Sequence, residues 1–263
     1  MSALKFSIIT AVYNGARHIA SCLESVRRQT HDNVEHIIVD GKSTDDTLAI
    51  IGRHGSRAAK IVSEADRGLY DAMNKGIAFA EGDIVGILNS DDFYDNDRVL
   101  ERVAAAFDEY GTMSVYTDLL FVSRNNPERI IRYCKAKRFT AGMLAEGEFP
   151  MHSAFFVRKE AYRKYGVYRT DMKISADIDL MLRFLEKHRL TSRYLPFVSV
   201  RMRSGGISNR NAANIYRVLK ESYSSFRLNG LEVKRRFIVK SLLWRMRQFR
   251  DAKYGRRICG GGI

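Results

Sequence analysis

Three prolines and three cysteines are all that 263 residues contain, and both scarcities narrow the field. With no low-complexity tract and no repeat at a fixed period, proline-rich linkers and solenoid arrays are excluded. Cys22, Cys134 and Cys259 are odd in number, far apart and form no CxxC pair. Neither a disulfide framework nor a zinc site is expected, and a reducing cytoplasm fits. No stretch reaches the roughly 18 apolar residues needed to cross a bilayer. The first residues run into a strand-like FSIITAVYN without a separate apolar segment to cleave. These absences predict a protein that is soluble or rests on a membrane surface.

What the chain has in excess is positive charge. Lys and Arg number 44 against 30 Asp and Glu, a net charge of +14, which predicts an anionic partner: nucleic acid, a phospholipid surface or a phosphorylated substrate. Much of the excess falls after Arg201, while the stretch before Asp97 carries none of it. At 45% hydrophobic and 28% charged, the composition is globular. The length suits one large α/β domain, or such a domain with a helical appendage.

Apolar, β-rich runs at Phe6–Val12, His36–Val39, Lys60–Ser63 and Asp83–Leu88 alternate with segments of helical spacing at 16–29, 44–51 and 69–81. Continuous apolar strands between amphipathic helices predict βαβ units and a mostly parallel sheet flanked by helices. Further on, a helix is expected over 98–110, strands over 114–122, 129–133, 153–157 and 193–202, and a helix over 177–187. In parallel sheets ligands bind beyond the carboxyl ends of the strands. Asp40 and the run Asn89-Ser90-Asp91-Asp92 both stand at such ends, so the acidic groups gather on one rim. Clustered carboxylates there suit Mg²⁺ or Mn²⁺, which takes one or two carboxylates plus substrate phosphates. The same aspartates would equally serve as helix N-caps.

The ordered segments TAVYNG, VDGKSTDDT, SEADRGLYDAMNKG and GDIVGILNSDD resemble the nucleotide-binding half of family 2 glycosyltransferases, which have the Rossmann-like GT-A fold. The resemblance is close over residues 5–100 and continues more distantly to about Ser208; its flavour is that of bacterial exopolysaccharide and colanic-acid-type transferases. It implies a nucleotide diphosphate sugar donor, a UDP-sugar by preference, and a metal cofactor, Mn²⁺ or Mg²⁺. Thr10, Ala11 and Tyr13 lie where the family cradles the nucleobase, and Asp40 matches the aspartate that accepts from a uracil ring nitrogen. Asn89-Ser90-Asp91 occupies the DxD position, with Asp91 as metal ligand and Asp92 in support. Asn74 matches a family asparagine, but the arginine that often precedes it is Met73 here, which leaves Arg67 to supply charge or to stay solvated.

Inversion at an anomeric carbon needs a base for the attacking hydroxyl. Ser175-Ala176-Asp177-Ile178-Asp179 resembles the family motif in which an aspartate at a helix start is that base. Asp177 takes the role, the usual glutamate is replaced by Ala176, and an N-cap role for Asp177 remains open. The segment around His152 resembles family segments near the acceptor. Arg201-Met202-Arg203-Ser204-Gly205-Gly206-Ile207-Ser208 resembles a loop that closes over the donor diphosphate; a plain strand-end turn is the other reading.

From Val233 to Arg257 the chain is basic, with Asp251 its single acid, and Val239, Leu242, Met246 and Phe249 recur at helical spacing. A basic amphipathic helix with a tryptophan predicts an anionic membrane interface, or a helix packed on the catalytic part with a solvated basic face. No nucleic-acid-binding motif is present.

The expected organisation is a GT-A domain over 1–210, divided into 1–100 for the nucleotide sugar and 101–210 for the acceptor, then a basic helical region over 211–263. The expected activity is inverting transfer to a saccharide or polyprenyl-diphosphate-linked acceptor in cell-surface polysaccharide biosynthesis, peripheral on the inner face of the cytoplasmic membrane. The rivals are a sugar nucleotidyltransferase and a catalytically impaired membrane-binding relative; Met73 and Ala176 leave room for the second.

Overall fold

All seven residues of β1, Phe6–Val12, are buried in the computed structural model, which describes residues 3–54, 59–206, 212–233 and 236–259. A strand covered on both faces has no solvent side to alternate with, which is why FSIITAV reads as a nearly continuous apolar run. Its hydroxyls are paired inside: Thr10 Oγ1 meets His36 Nε2 at 2.9 Å, and Ser7 Oγ accepts from Gly82 N at 2.8 Å. Alternate side chains enter opposite cores, Ile9 and Ala11 on one face, Phe6, Ile8 and Val12 on the other.

β1 pairs in parallel with β2 (Val34–Asp40) and with β4 (Ile84–Ile87), and β2 pairs in parallel with β3 (Ala59–Ser63). The crossovers are α1 (Ile19–Arg27), α2 (Thr47–His54) and α3 (Leu69–Phe79). The chain thus winds β1, β2, β3 in one direction and returns to place β4 on the other side of β1. That reversal falls at the carboxyl ends of β1 and β4, the place where open α/β sheets bind ligands.

Beyond it come β5 (Phe93–Tyr94), α4 (Val99–Tyr110), β6 (Ser114–Val122), β7 (Ile130–Cys134), β8 (Phe155–Arg158), α5 (Lys159–Tyr165), α6 (Ala176–Met181, running on as a π-helix over Leu182–Lys187) and β9 (Ser192–Arg203). Among the described residues the sheet has nine strands in the order β3-β2-β1-β4-β8-β6-β9-β5, with β7 beside β6. The expected α/β sheet flanked by helices is present. Its first half is parallel, and its second half is mixed. β8 runs antiparallel to both β4 and β6, and β6 to β7, because a turn rather than a helix joins β6 to β7.

Two further helices, α7 (Ala212–Leu228) and α8 (Phe237–Cys259), pack onto this body. The Glu221 carboxylate of α7 accepts from the backbone N–H groups of Lys173, Ile174 and Ser175 at 3.0–3.2 Å, just ahead of α6. Phe237 of α8 is buried between the rings of Phe149 and Phe226. Burying one phenylalanine contributes roughly 1.5–3 kcal/mol. The expected boundary at 210/211 lies outside the described residues.

Candidate active site

The register Val12↔Asp40↔Ser63 brings the ends of β1, β2 and β3 to one level. Asp40 is fully buried there: Ser43 N and Ser63 Oγ donate to its Oδ2 at 3.0 and 2.6 Å, and Ser43 Oγ donates to Oδ1. The two loops also hold each other, since Asn14 N donates to Ser43 Oγ at 2.8 Å and Thr44 N to Asn14 Oδ1 at 2.9 Å. Asn14 (φ 50°) and Lys42 (φ 64°) occupy the left-handed region, which non-glycine residues adopt at a cost and mainly where surrounding bonds impose it. A Cβ on Gly41 would meet the Asp66 carboxylate from the loop after β3, so the two loops approach closely here. Tyr13 stands 64% exposed on this rim, open for stacking.

The loop after β4 reaches the same edge, with Ser90 Oγ 3.5 Å from where a Cβ on Gly15 would lie. Asp92 is buried and holds the loop's shape: its Oδ2 accepts from Asn89 Nδ2 at 2.9 Å and its Oδ1 from Arg203 N at 3.0 Å. Burial, reinforced by the neighbouring Asp91 charge, raises its pKa to about 7. Asp91 points the other way, where Arg124 meets its Oδ2 at 3.2 Å. The Arg203 guanidinium donates to the Asp91 carbonyl at 2.5 Å and lies over the Phe93 ring. Asn89 Oδ1 is buried without a hydrogen-bond partner.

No three His, Cys, Asp or Glu cluster to hold an ion among the described residues. A hard divalent cation that draws most of its ligands from phosphates needs only one or two protein oxygens. The Asp91 carboxylate and the orphaned Asn89 Oδ1 fit that requirement, since an unpaired buried oxygen is otherwise costly.

Asn89 also connects this loop to the second half of the chain. Its Nδ2 lies 3.4 Å from His152 Nε2 and 3.1 Å from Ser153 Oγ, and His152 Nδ1 lies 3.3 Å from Asp177 Oδ2. Burial alone would lower the His152 pKa; the bond to Asp177 and the charges of Asp177 and Asp92 outweigh it, so the net shift is upward. Tyr70 closes the other side, donating to Ile174 O at 2.6 Å and to Asp177 Oδ1 at 3.2 Å. From α8, Arg245 comes within electrostatic reach of Asp177, whose charge opposes the drop that burial imposes on the guanidinium. Asp179 faces away, buried against Asn229 and Arg183.

Direct contacts therefore link Asp92, Asn89, His152 and Asp177, with Arg203 bonded to Asp92 and to the Asp91 carbonyl behind them, while Asp40 and Tyr13 belong to the neighbouring loops at the same strand ends. Other candidates are engaged elsewhere. Thr10 turns its hydroxyl inward to His36, and Ala11 is buried. The Asn74 amide donates to the Tyr168 carbonyl at 2.8 Å and accepts from the Tyr168 N–H at 2.9 Å. Arg67 is exposed and pairs with Asp71, and Arg201 bonds Asp95 at 2.7 Å behind the crevice. Met73 and Ala176, the two departures from the family pattern, are both buried. Ile207 and Ser208 of the glycine-bearing loop lie outside the described residues.

Residues 7–166 match the model of the family described as "Glycosyl transferase family 2". The chain belongs to that family, and is an enzyme of the glycosyltransferase class. A "PGL/p-HBAD biosynthesis glycosyltransferase" of Mycobacterium tuberculosis (strain ATCC 25618 / H37Rv) is 33% identical over 214 residues, 80% of this chain and 81% of that protein. Among solved structures, S. aureus TarS 1-349 superposes with a TM-score of 0.65 at 19% identity, over 93% of this chain and 72% of that one. The mannosyltransferase PcManGT from Pyrobaculum calidifontis, in complex with GDP-Man and Mn²⁺, also gives 0.65, at 17% identity over 99% and 76%. These likenesses establish the GT-A fold.

Sequence reasoning passed over Tyr70, Arg124, Glu221 and Arg245. Tyr70 stands inside a quoted motif and was findable there. The other three come from segments with no motif, and only folding brings them to the crevice.

Proposed function

We propose that the crevice transfers a hexose-type sugar, with inversion, from a nucleotide diphosphate donor, a UDP-sugar by preference, to a hydroxyl of a saccharide or lipid-linked acceptor. The observation that carries this is the contact chain Asn89–His152–Asp177, which joins the DxD-like loop to the candidate base in one crevice. Support comes from solved relatives of the same fold, TarS bound to UDP-GlcNAc and PcManGT bound to GDP-Man and Mn²⁺.

The nucleobase lies against Tyr13, and buried Asp40 sets the loop beneath it through Ser43 and Ser63, accepting from the base where that loop yields. A divalent cation, Mn²⁺ or Mg²⁺, held by Asp91 and Asn89 would neutralise charge on the departing diphosphate. Asp92, whose oxygens already accept from Asn89 and Arg203, buttresses that loop. Arg203 and Arg124 supply positive charge that position 73 lacks. Asp177 accepts the proton of the acceptor hydroxyl as its oxygen bonds to the anomeric carbon and the carbon–phosphate oxygen bond breaks. His152 and Tyr70 orient that carboxylate from two sides, and His152 faces the acceptor. The acceptor belongs to cell-surface polysaccharide synthesis, and the protein works on the cytoplasmic face of a membrane, to which its basic C-terminal region binds.

A thermal-shift screen of nucleotide sugars with and without Mn²⁺ tests the donor assignment. Stabilisation by UDP-sugars that deepens with Mn²⁺ is expected. A preference for GDP- or dTDP-sugars would reassign Asp40, and no response to any nucleotide sugar would remove the reading.

A further inference from the structure

Helix α8 has two faces, and the more apolar one is outside. Phe237, Ser241, Gln248 and Ala252 are at most 9% exposed and pack on the body of the protein. Ile238, Val239, Leu242, Leu243, Met246 and Phe249 are 41% to 67% exposed. At 3.6 residues per turn these six fall within an arc of about 140°, opposite the packed face and about 16 Å long. Arg236, Lys240, Arg247, Arg250 and Lys253 are exposed or half-exposed alongside, Arg236 and Lys240 both pairing with Glu146 of the body, which leaves a positive excess on this flank. The one acid of the helix, Asp251, pairs with Arg247 and Arg250. Ordinary folding places large aliphatic and aromatic side chains inside and small or polar ones outside; in α8 Phe237 and Trp244 follow that rule, but the six large apolar side chains named above stay outside.

We propose that this outer face of α8 seats the protein on an anionic bilayer, its six apolar side chains entering the headgroup–acyl boundary while the flanking Lys and Arg reach lipid phosphates. The face is convex, a helix ridge rather than a groove, and offers no side-chain hydrogen bonding of its own, which suits a fluid apolar layer. Charge selects the bilayer over a second copy of the chain. Self-association through this face would set one basic flank against another on a protein of net charge +14, whereas an anionic surface attracts it. No helix among the described residues is long and apolar enough to cross a membrane, so this seating is in the interface plane. From the same helix Arg245 comes within electrostatic reach of Asp177. This deepens the membrane assignment proposed above by naming the surface that makes the contact.

The test is co-sedimentation of the full chain with vesicles of phosphatidylcholine containing about one-third phosphatidylglycerol, at low and high salt. Binding is expected at low salt and is expected to weaken by about tenfold or more in L243S/M246S. Those side chains are exposed, so circular dichroism and melting temperature stay as in the parent. R250E, a second and independent change, reduces binding and its salt dependence together. No vesicle binding at low salt overturns the proposal, as does binding unchanged in both variants. A concentration-dependent dimer that L243S/M246S abolishes, without vesicle binding, overturns it in favour of self-association. Donor hydrolysis measured in the same samples separates the two readings: absent hydrolysis with intact vesicle binding counts against the transferase assignment alone.

Discussion

His152 Nδ1 stands 3.3 Å from Asp177 Oδ2, and the imidazole's other nitrogen faces Asn89 in the loop that carries Asp91. One half-buried ring therefore spans the candidate base and the candidate metal loop. Tyr70 completes the cradle from α3. Replacing Tyr70 by Phe keeps its stacking on Tyr168 and removes the hydroxyl from Ile174 O and Asp177. The expected result is a stability loss of about 1–3 kcal/mol from the stranded carbonyl, with a lower kcat and an unchanged donor affinity. Chemical unfolding and steady-state kinetics on the same variant check both.

Asp91 and Asp92 differ in what they do despite adjacent positions. Asp91→Ala removes the proposed metal ligand and is expected to abolish the stimulation of donor hydrolysis by Mn²⁺ while leaving the fold intact. Asp92→Asn acts indirectly. An amide supplies one acceptor where the carboxylate supplies two, so either Asn89 or Arg203 N loses its partner. The expectation is a metal affinity lowered about 10–100-fold and a measurable drop in melting temperature. Titration of Mn²⁺ against activity separates the two patterns.

His36 gives the acid limb of the stability curve. Burial holds its pKa at about 4, against 6.5 for the free side chain. The folded state keeps it neutral while the unfolded chain takes up a proton below about pH 6.5, so this contribution is full above that value and is lost as pH falls toward 4. The size is on the order of 3 kcal/mol. His36→Gln keeps a partner for Thr10 and removes the titration; urea unfolding between pH 4 and 7 is expected to show a flatter acid limb than the parent.

Glu221 ties α7 to the approach of α6 by three backbone bonds. Glu221→Ala leaves those N–H groups without their acceptor and is expected to cost about 1–3 kcal/mol. The loss of kcat should exceed the loss of donor binding, because the displaced segment carries Asp177 and not the nucleotide loops.

The first half of the fold was legible because buried parallel strands appear as apolar runs and their ends as turn clusters, so β1 to β4 and the loops at Asp40 and Asn89–Asp92 could be placed from spacing. Asp177 at a helix start was legible for the same reason. What was not legible depends on three-dimensional neighbours. β5 is two residues long, too short for a period, and α5 (KEAYRKY) buries only Ala161 and Tyr162. The pairing of His152 with Asp177 exists because β8 inserts antiparallel between β4 and β6. Asn74 shows the limit of motif matching, since its amide is taken by the Tyr168 backbone. In α8 the spacing of Val239, Leu242, Met246 and Phe249 was visible, but a pattern cannot say which face packs, and here the face with Phe237, Ser241, Gln248 and Ala252 does.

The account stands on Asp177 as the base, and one comparison reaches it directly: sugar transfer and donor binding measured side by side for Asp177→Asn with a UDP-sugar and Mn²⁺. The account predicts transfer reduced by at least about 10²–10⁴-fold with the donor Kd unchanged. Transfer close to the parent rate would contradict it.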